Sequence, residues 1–233
     1  MKAMILAAGL GTRMLPLTAH TPKPLLRVGG RCLIEWQVDR LAAAGVTDIV
    51  INHYYLGEQI EQALGDGSRY GVNLAYSAET ERLETAGGII RALPLLGDSP
   101  FIIANSDVWT DFDYRRLLAR AELMQSTAEN PILAHLVMVP NAAHHPGGDF
   151  VLESDGCVRD QDGSRLTYAG ISLLHPALFA GLVTQFQPLT PLLRLAMERR
   201  QVTGELFGGE WQDVGTPERL AALDGSVTGN LTK

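Results

Sequence analysis

Ala3-Met-Ile-Leu-Ala-Ala-Gly-Leu-Gly-Thr-Arg13 begins as an apolar run and breaks at two closely spaced glycines. The run from Ala3 to Ala8 has strand length and ends in turn-forming residues, so it reads as the first strand of a sheet. Glycines in the loop that follows let backbone N–H groups approach a phosphate with no side chain in the way. A dinucleotide fingerprint does not fit, because it needs a third glycine where Met14 stands. It also needs an acidic residue at the end of the second strand, where the chain has Asn52 and His53. A P-loop is excluded as well, since Gly-Lys-Ser/Thr is absent. Gly9-x-Gly11 alone leaves a purely structural turn as open as a phosphate site.

Working outward, Asp48 to Asn52, Asn73 to Ser77 and Phe101 to Asn105 are further strand-length runs, with helical spacing between them. Ile34, Val38 and Leu41 make one stripe that Gly45 can end, and Leu56, Ile60 and Leu64 make a second that stops at Gly65. Ile89, Ile90 and Leu93 begin a third, which Pro94 is expected to cut short. Strand and helix in alternation predict an α/β fold with a mostly parallel sheet. Ligands then bind beyond the carboxyl ends of the strands, so the loops after Ala8, Ser77 and Asn105 should share one rim. The second half is less regular. His135 to Val139, Phe150 to Leu152 and Leu166 to Leu174 read as strands, and Pro191 to Arg199 as a helix. The expected organisation is one domain over residues 1–224, substrate-facing insertions at about 140–185, and a loose tail over 225–233.

The chain has 233 residues, 46% of them apolar and 19% charged, which suffices for a sizeable core. Its net charge of −7 argues against nucleic acid or a membrane surface as a partner. Between Met1 and Ile34 there is nevertheless no Asp or Glu, while Lys2, Arg13, Lys23, Arg27 and Arg31 supply five cations. That asymmetry suits a small anionic ligand near the first loop. Cys32 and Cys157 stand too far apart for a zinc or dithiol motif and are expected to be thiols of a reducing compartment. The first residues lack the apolar length of a signal peptide, and no run reaches the ~20 residues of a membrane helix, so a cytoplasmic protein is expected.

The continuation, Thr12-Arg13-Met-Leu-Pro16-Leu-Thr18 and then Thr21-Pro22-Lys23-Pro24-Leu25, strengthens the phosphate reading. Two prolines hold Lys23 in an extended, stiff segment. Arg13 can fork to two phosphate oxygens while Lys23 acts as a point charge. Asp107, in Asn105-Ser106-Asp107, follows the Phe101 strand, and Asp213 stands in Trp211-Gln-Asp-Val-Gly-Thr216 on a separate loop. Two carboxylates on one rim suit Mg²⁺, which takes one or two carboxylates plus phosphates and water. A turn cap is the plain alternative for Asp107, and Asp111 and Asp113 are competing carboxylates. His144-His145 invites a metal reading, but adjacent histidines on a loop rarely converge, and a solvated or sugar-edge role is favoured.

From Leu6 to Leu25 the sequence resembles the sugar nucleotidyltransferase (nucleoside diphosphate sugar pyrophosphorylase) family. Its signature runs Leu-x-Ala-Gly-x-Gly-Thr-Arg-x-x-Pro-x-Thr and on to Pro-Lys-Pro. The resemblance implies the nucleotide-diphospho-sugar transferase fold, a Rossmann-like sheet with a small sugar-binding subdomain. It implies an enzyme that joins a nucleoside triphosphate to a sugar 1-phosphate with Mg²⁺ as cofactor and releases pyrophosphate. Arg13 and Lys23 would then be catalytic. Ala8, Gly9, Gly11 and Thr12, with Leu83, Glu84, Thr85 and Gly88 of the Leu83-Glu-Thr-Ala-Gly-Gly88 segment, would bind the nucleotide. Glu84 stands where the family commonly has glycine, and Gly87 and Gly88 could equally be packing glycines. Asp107 and Asp213 look like the family's metal-binding aspartates. Asn105, Gly148, Asp149, Tyr168 and Gly170 fall where it contacts the sugar. The family's usual Glu-Lys pair is missing, since the chain reads Leu152-Glu-Ser-Asp155.

Within the family, the short length, Leu-Glu-Thr, Gly-Asp-Phe and Trp-x-Asp-Val-Gly-Thr most resemble the branch that uses UTP and N-acetylmuramic acid 1-phosphate in peptidoglycan recycling. No hexapeptide repeat follows, so a fused acyltransferase is not expected. The alternatives are a hexose-1-phosphate guanylyl-, thymidylyl- or uridylyltransferase, or a non-catalytic nucleotide-binding relative. A muramyl substrate carries a lactyl carboxylate, which needs a donor or cation when it enters a cleft. His144, His145, Arg159 and Arg165 are the basic side chains between Pro140 and Tyr168, and one of them is expected to supply it.

Overall fold

A computed structural model describes residues 1–124 and 130–231. In chain order the strands are β1 (Lys2–Leu6), β2 (Arg27–Val28), β3 (Arg31–Cys32), β4 (Asp48–His53), β5 (Asn73–Ala78), β6 (Phe101–Asn105), β7 (Val108–Thr110), β8 (Ala134–Val139), β9 (Phe150–Leu152), β10 (Val158–Arg159), β11 (Arg165–Leu174), β12 (Val202–Leu206) and β13 (Trp211–Asp213). The helices are α1 (Leu33–Ala43), α2 (Gly57–Leu64), α3 (Glu84–Leu96), α4 (Arg115–Met124), α5 (Thr190–Glu198) and α6 (Pro217–Leu231).

The first three alternations build the parallel part of the sheet. β1 lies between β4 and β6, and β5 pairs with β4, all parallel. Side chains alternate across this sheet as a two-residue period requires. Ala3, Ile5, Ile49 and Ile51 face one side, where α1 and α2 bring Ile34, Val38, Leu41, Ile60 and Leu64. Met4, Val50 and Ile103 face the other, under Ile89 of α3 and Leu193 and Met197 of α5. β11 then joins antiparallel to β6 and β8, and β12 closes parallel to β8. Residues 140–185 thus supply β9, β10 and β11, which extend the same sheet rather than standing apart from it.

Two sequence expectations are corrected. Pro94 does not stop the third helix, which runs from Glu84 through Leu96 to Gly97. The proline falls in the last turn, where its missing N–H costs the one bond to the Ile90 carbonyl and the helix ends two residues later. The tail expected from residue 225 is helical through Leu231 as part of α6, while residues 232–233 lie outside the described residues. Its apolar face explains the difference. Leu223 and Val227 pack with Met14, Val28, Leu33 and Val214 in a third buried cluster, and the Gly29 N–H donates to Asp224 Oδ1 at 2.7 Å. No described helix is long and apolar enough to cross a membrane.

Candidate active site

The loop after β1 turns at Gly11, whose φ of +64° is left-handed. A Cβ there would stand 3.0 Å from Thr18 Cγ2 and 3.3 Å from Lys23 Cβ, so glycine answers both backbone and space. The Thr18 hydroxyl donates to Gly11 O at 2.8 Å and fixes the turn. Asn52, at the end of β4, accepts from the Ala7 N–H at 3.0 Å and donates to Glu79 Oε1 at 2.7 Å. Loops following β1, β5 and β6 therefore meet on one rim, as the alternation of elements implied. They enclose a cavity of about 370 Å³, walled by Ala8 to Arg13 together with Lys23, Glu79, Arg82, Glu84 and Asp107.

Lys23 is delivered by one turn of 3-10 helix, Lys23–Leu25, rather than by an extended segment. Only Pro22 is extended, and the Leu25 N–H donates to Pro22 O at 2.9 Å, which keeps the support stiff. The Lys23 side chain is 11% exposed, and its ammonium pairs with the Asp107 carboxylate. Asp213 ends β13, which pairs antiparallel with β7, and the Val214 N–H donates to Asp107 O at 2.8 Å. Asp213 thus stands on β13 and Asp107 in the turn just before β7, and the pairing of the two strands brings them together. Arg219 Nη1 donates to both Asp213 carboxylate oxygens at 2.7 Å, and His144 Nε2 lies 2.9 Å from Oδ1. A pair of carboxylates with no soft ligand suits a hard cation that takes its remaining ligands from phosphate and water. Among the described residues no group of three or more His, Cys, Asp or Glu side chains could hold a metal alone. Asp113 is paired with Arg115; Asp107 walls the cavity, while Asp111, Asp113 and Asp213 do not, and Gly215, two residues past Asp213, does.

At the start of α3, Glu84 has φ +60°, a left-handed backbone that glycine adopts without cost and a glutamate does not. That geometry accounts for the glycine usual in this motif. Glu84 and Thr85 wall the cavity, but Leu83 and Gly88, expected on the nucleotide, do not. Leu83 is buried and its carbonyl accepts the Gln187 N–H at 2.8 Å. Gly88 lies behind the wall, where a Cβ would fall 2.6 Å from Glu79 Oε1 and 2.9 Å from Asn52 Nδ2. Both support the rim from behind. Burial pushes the Glu79 carboxyl above its ordinary range, against the opposing effect of the Asn52 hydrogen bond.

A second cavity of about 250 Å³ shares Leu6, Glu84, Thr85 and Asn105 with the first. Asp149 and Tyr168, two of the residues expected on the sugar, wall it. Asp149 Oδ2 accepts the Tyr168 N–H at 2.8 Å, and the Tyr168 hydroxyl, pushed up to about 12 by burial, shares a hydrogen bond with Ser172. Gly148 and Gly170 do not wall it. Gly170, with φ +72°, sits at a bulge in β11 where a Cβ would lie 2.4 Å from Asn105 Nδ2. At Gly148, with φ +60°, a Cβ would lie 2.8 Å from Asn141 Oδ1 and 2.9 Å from the Arg165 carbonyl carbon. Their role is close backbone approach.

None of the four expected cations reaches this second cavity. His144 turns to Asp213 while His145 Nε2 lies 3.1 Å from Asp149 Oδ1, so the adjacent histidines diverge. Arg159 pairs with Glu153, and Arg165 with Asp160. The cation on the wall is Arg194 of α5, which the sequence reading missed along with Glu79, Arg82 and Arg219. Glu79, just past β5, could have been found from that position, as could Asn52 from its place in the last two residues of β4. Arg194 sits in an ordinary amphipathic helix and carries no such signal.

Residues 2–154 match the family model described as nucleotidyl transferase. The N-acetylmuramate alpha-1-phosphate uridylyltransferase of Neisseria meningitidis serogroup B is 51% identical over 94% of this chain and 95% of its own length. The enzyme of the same name from Caulobacter vibrioides is 37% identical over 94% of each chain. A crystal structure of UDP-glucose pyrophosphorylase complexed with UDP-glucose superposes with a TM-score of 0.78 over 98% of both chains at 19% identity, a likeness of fold.

Proposed function

The chain belongs to the nucleotidyl transferase family, and on that premise we propose that it transfers the uridylyl group of UTP to N-acetylmuramic acid 1-phosphate. The observation that carries this reading is the pair of contiguous cavities, one rich in phosphate-binding groups and one suited to a sugar, meeting at Leu6, Glu84, Thr85 and Asn105. The names of the two relatives supply base and sugar. A phosphate oxygen of the sugar phosphate attacks the α-phosphorus of UTP, and the bond from that phosphorus to the bridging oxygen breaks, releasing pyrophosphate. Such a displacement needs alignment and charge neutralisation more than a protein nucleophile. Arg13 binds the departing pyrophosphate oxygens as a fork, and Lys23 neutralises charge at the reacting phosphates. Asp107 and Asp213 would hold Mg²⁺, which when bound would offset the negative charge that builds on the phosphate oxygens. Thr85 and the turn at Gly11 orient the nucleotide, and Asn105 stands where the two substrates meet. The reaction belongs to recycling of peptidoglycan sugars in the cytoplasm.

Pyrophosphate release, measured with UTP, GTP, dTTP and CTP against muramyl, glucosaminyl and hexose 1-phosphates, tests the reading. UTP with N-acetylmuramic acid 1-phosphate should give the highest kcat/KM, and excess chelator should abolish turnover. Preference for another pair overturns the substrate assignment, and full activity in chelator overturns the metal.

A further inference from the structure

The muramyl substrate is anionic at two ends. Its phosphate meets Arg13 and Lys23, but its lactyl carboxylate lies on the far side of the sugar ring and needs its own partner, or desolvation goes uncompensated. The second cavity is otherwise hostile to it, since Glu84 and Asp149 both wall that space. Among the described residues that wall it, the one cation is Arg194.

Arg194 is held in an asymmetric cluster. Its Nε lies 2.6 Å from Asp160 Oδ2, and the other Asp160 oxygen lies 2.9 Å from Arg165 Nη2. One carboxylate is thus shared by two guanidiniums, and the trio keeps one net positive charge. The Arg194 side chain is 53% exposed, and Asp160 is its only ion-pair partner among the described residues. Asp160 engages Nε and so orients the guanidinium, while a planar fork can still meet a second carboxylate through its terminal nitrogens. The helix that carries it also sends Leu193 into the cavity wall, which sets Arg194 at its edge.

We propose that Arg194, oriented by Asp160, receives the lactyl carboxylate and selects muramyl over glucosaminyl 1-phosphates. This rests on the substrate reading above. The contact lies far from the reacting phosphorus, so its loss acts chiefly through KM.

The test compares kcat/KM for N-acetylmuramic acid 1-phosphate and N-acetylglucosamine 1-phosphate, at saturating UTP, in the wild type, Arg194→Ala and Arg194→Lys. The ratio of the two within one preparation cancels any loss of folded protein. The wild type should favour the muramyl substrate. Arg194→Ala should lose tenfold or more of that preference, through KM, and Arg194→Lys should keep part of it as a point charge. An unchanged ratio in Arg194→Ala, beside a wild type that favours the muramyl substrate, overturns the inference and leaves the function standing. A wild type without that preference overturns the substrate reading itself.

Discussion

Gly170 condenses the logic of the site into one residue. Its φ of +72° makes room in β11 for Asn105, whose side chain walls both cavities. Gly170→Ala would set a methyl group 2.4 Å from Asn105 Nδ2 and force a left-handed alanine. Thermal or urea unfolding should show a loss of about 1–3 kcal/mol, the range for a strained backbone position. The displaced Asn105 should also raise KM for the sugar phosphate. Unmoved stability and KM would show that Asn105 yields freely. Glycines and cations of the first loop were legible in the sequence because their spacing is local. Gly148 and Gly170 were legible as important residues but not for their reason, since the atoms they make way for come from other parts of the chain.

At the scale of elements, α6 shows how a segment with little sequence signal becomes structural. Its second half reads Gly-Ser-Val-Thr-Gly, poor in helix formers, yet Val227 is 6% exposed against a cluster that includes Met14 of the first loop and Val214 beside Asp213. Helix stability here comes from the packed face more than from propensity. Val227→Ala removes two methyl groups and should cost about 1.5 kcal/mol at ~0.8 kcal/mol for each buried group. Urea unfolding measures it, and a mutant as stable as the wild type would return residues 225–231 to the status of a loose end. The β7 and β13 pair that brings Asp107 beside Asp213 is equally tertiary, because 101 to 105 residues separate its partnered positions, from Thr110 with Trp211 to Val108 with Asp213.

For the whole molecule, a buried acid links the site to stability. Burial holds the Glu79 carboxyl above its ordinary value of 4.5, so the folded chain keeps that proton to higher pH than the unfolded chain does. The stabilisation from this group is complete below about pH 4.5 and is lost as pH rises through the folded pKa. Glu79→Gln, neutral throughout, should flatten the melting temperature against pH from 4.5 toward neutrality relative to the wild type. Parallel curves would show that Glu79 ionises as freely folded as unfolded. The alternation of strand and helix through β1, α1, β4, α2, β5, α3 and β6 and the glycine turn after β1 were determined by the sequence itself, because apolar periodicity and glycine spacing act over a few residues. Tertiary structure alone decided that Leu83 and Gly88 stand behind the wall of the first cavity, that the histidines of the 144–145 loop part company, and that Arg194 walls the second. Those outcomes depend on which distant elements the sheet brings together, and a side chain's local sequence does not record what it will meet there.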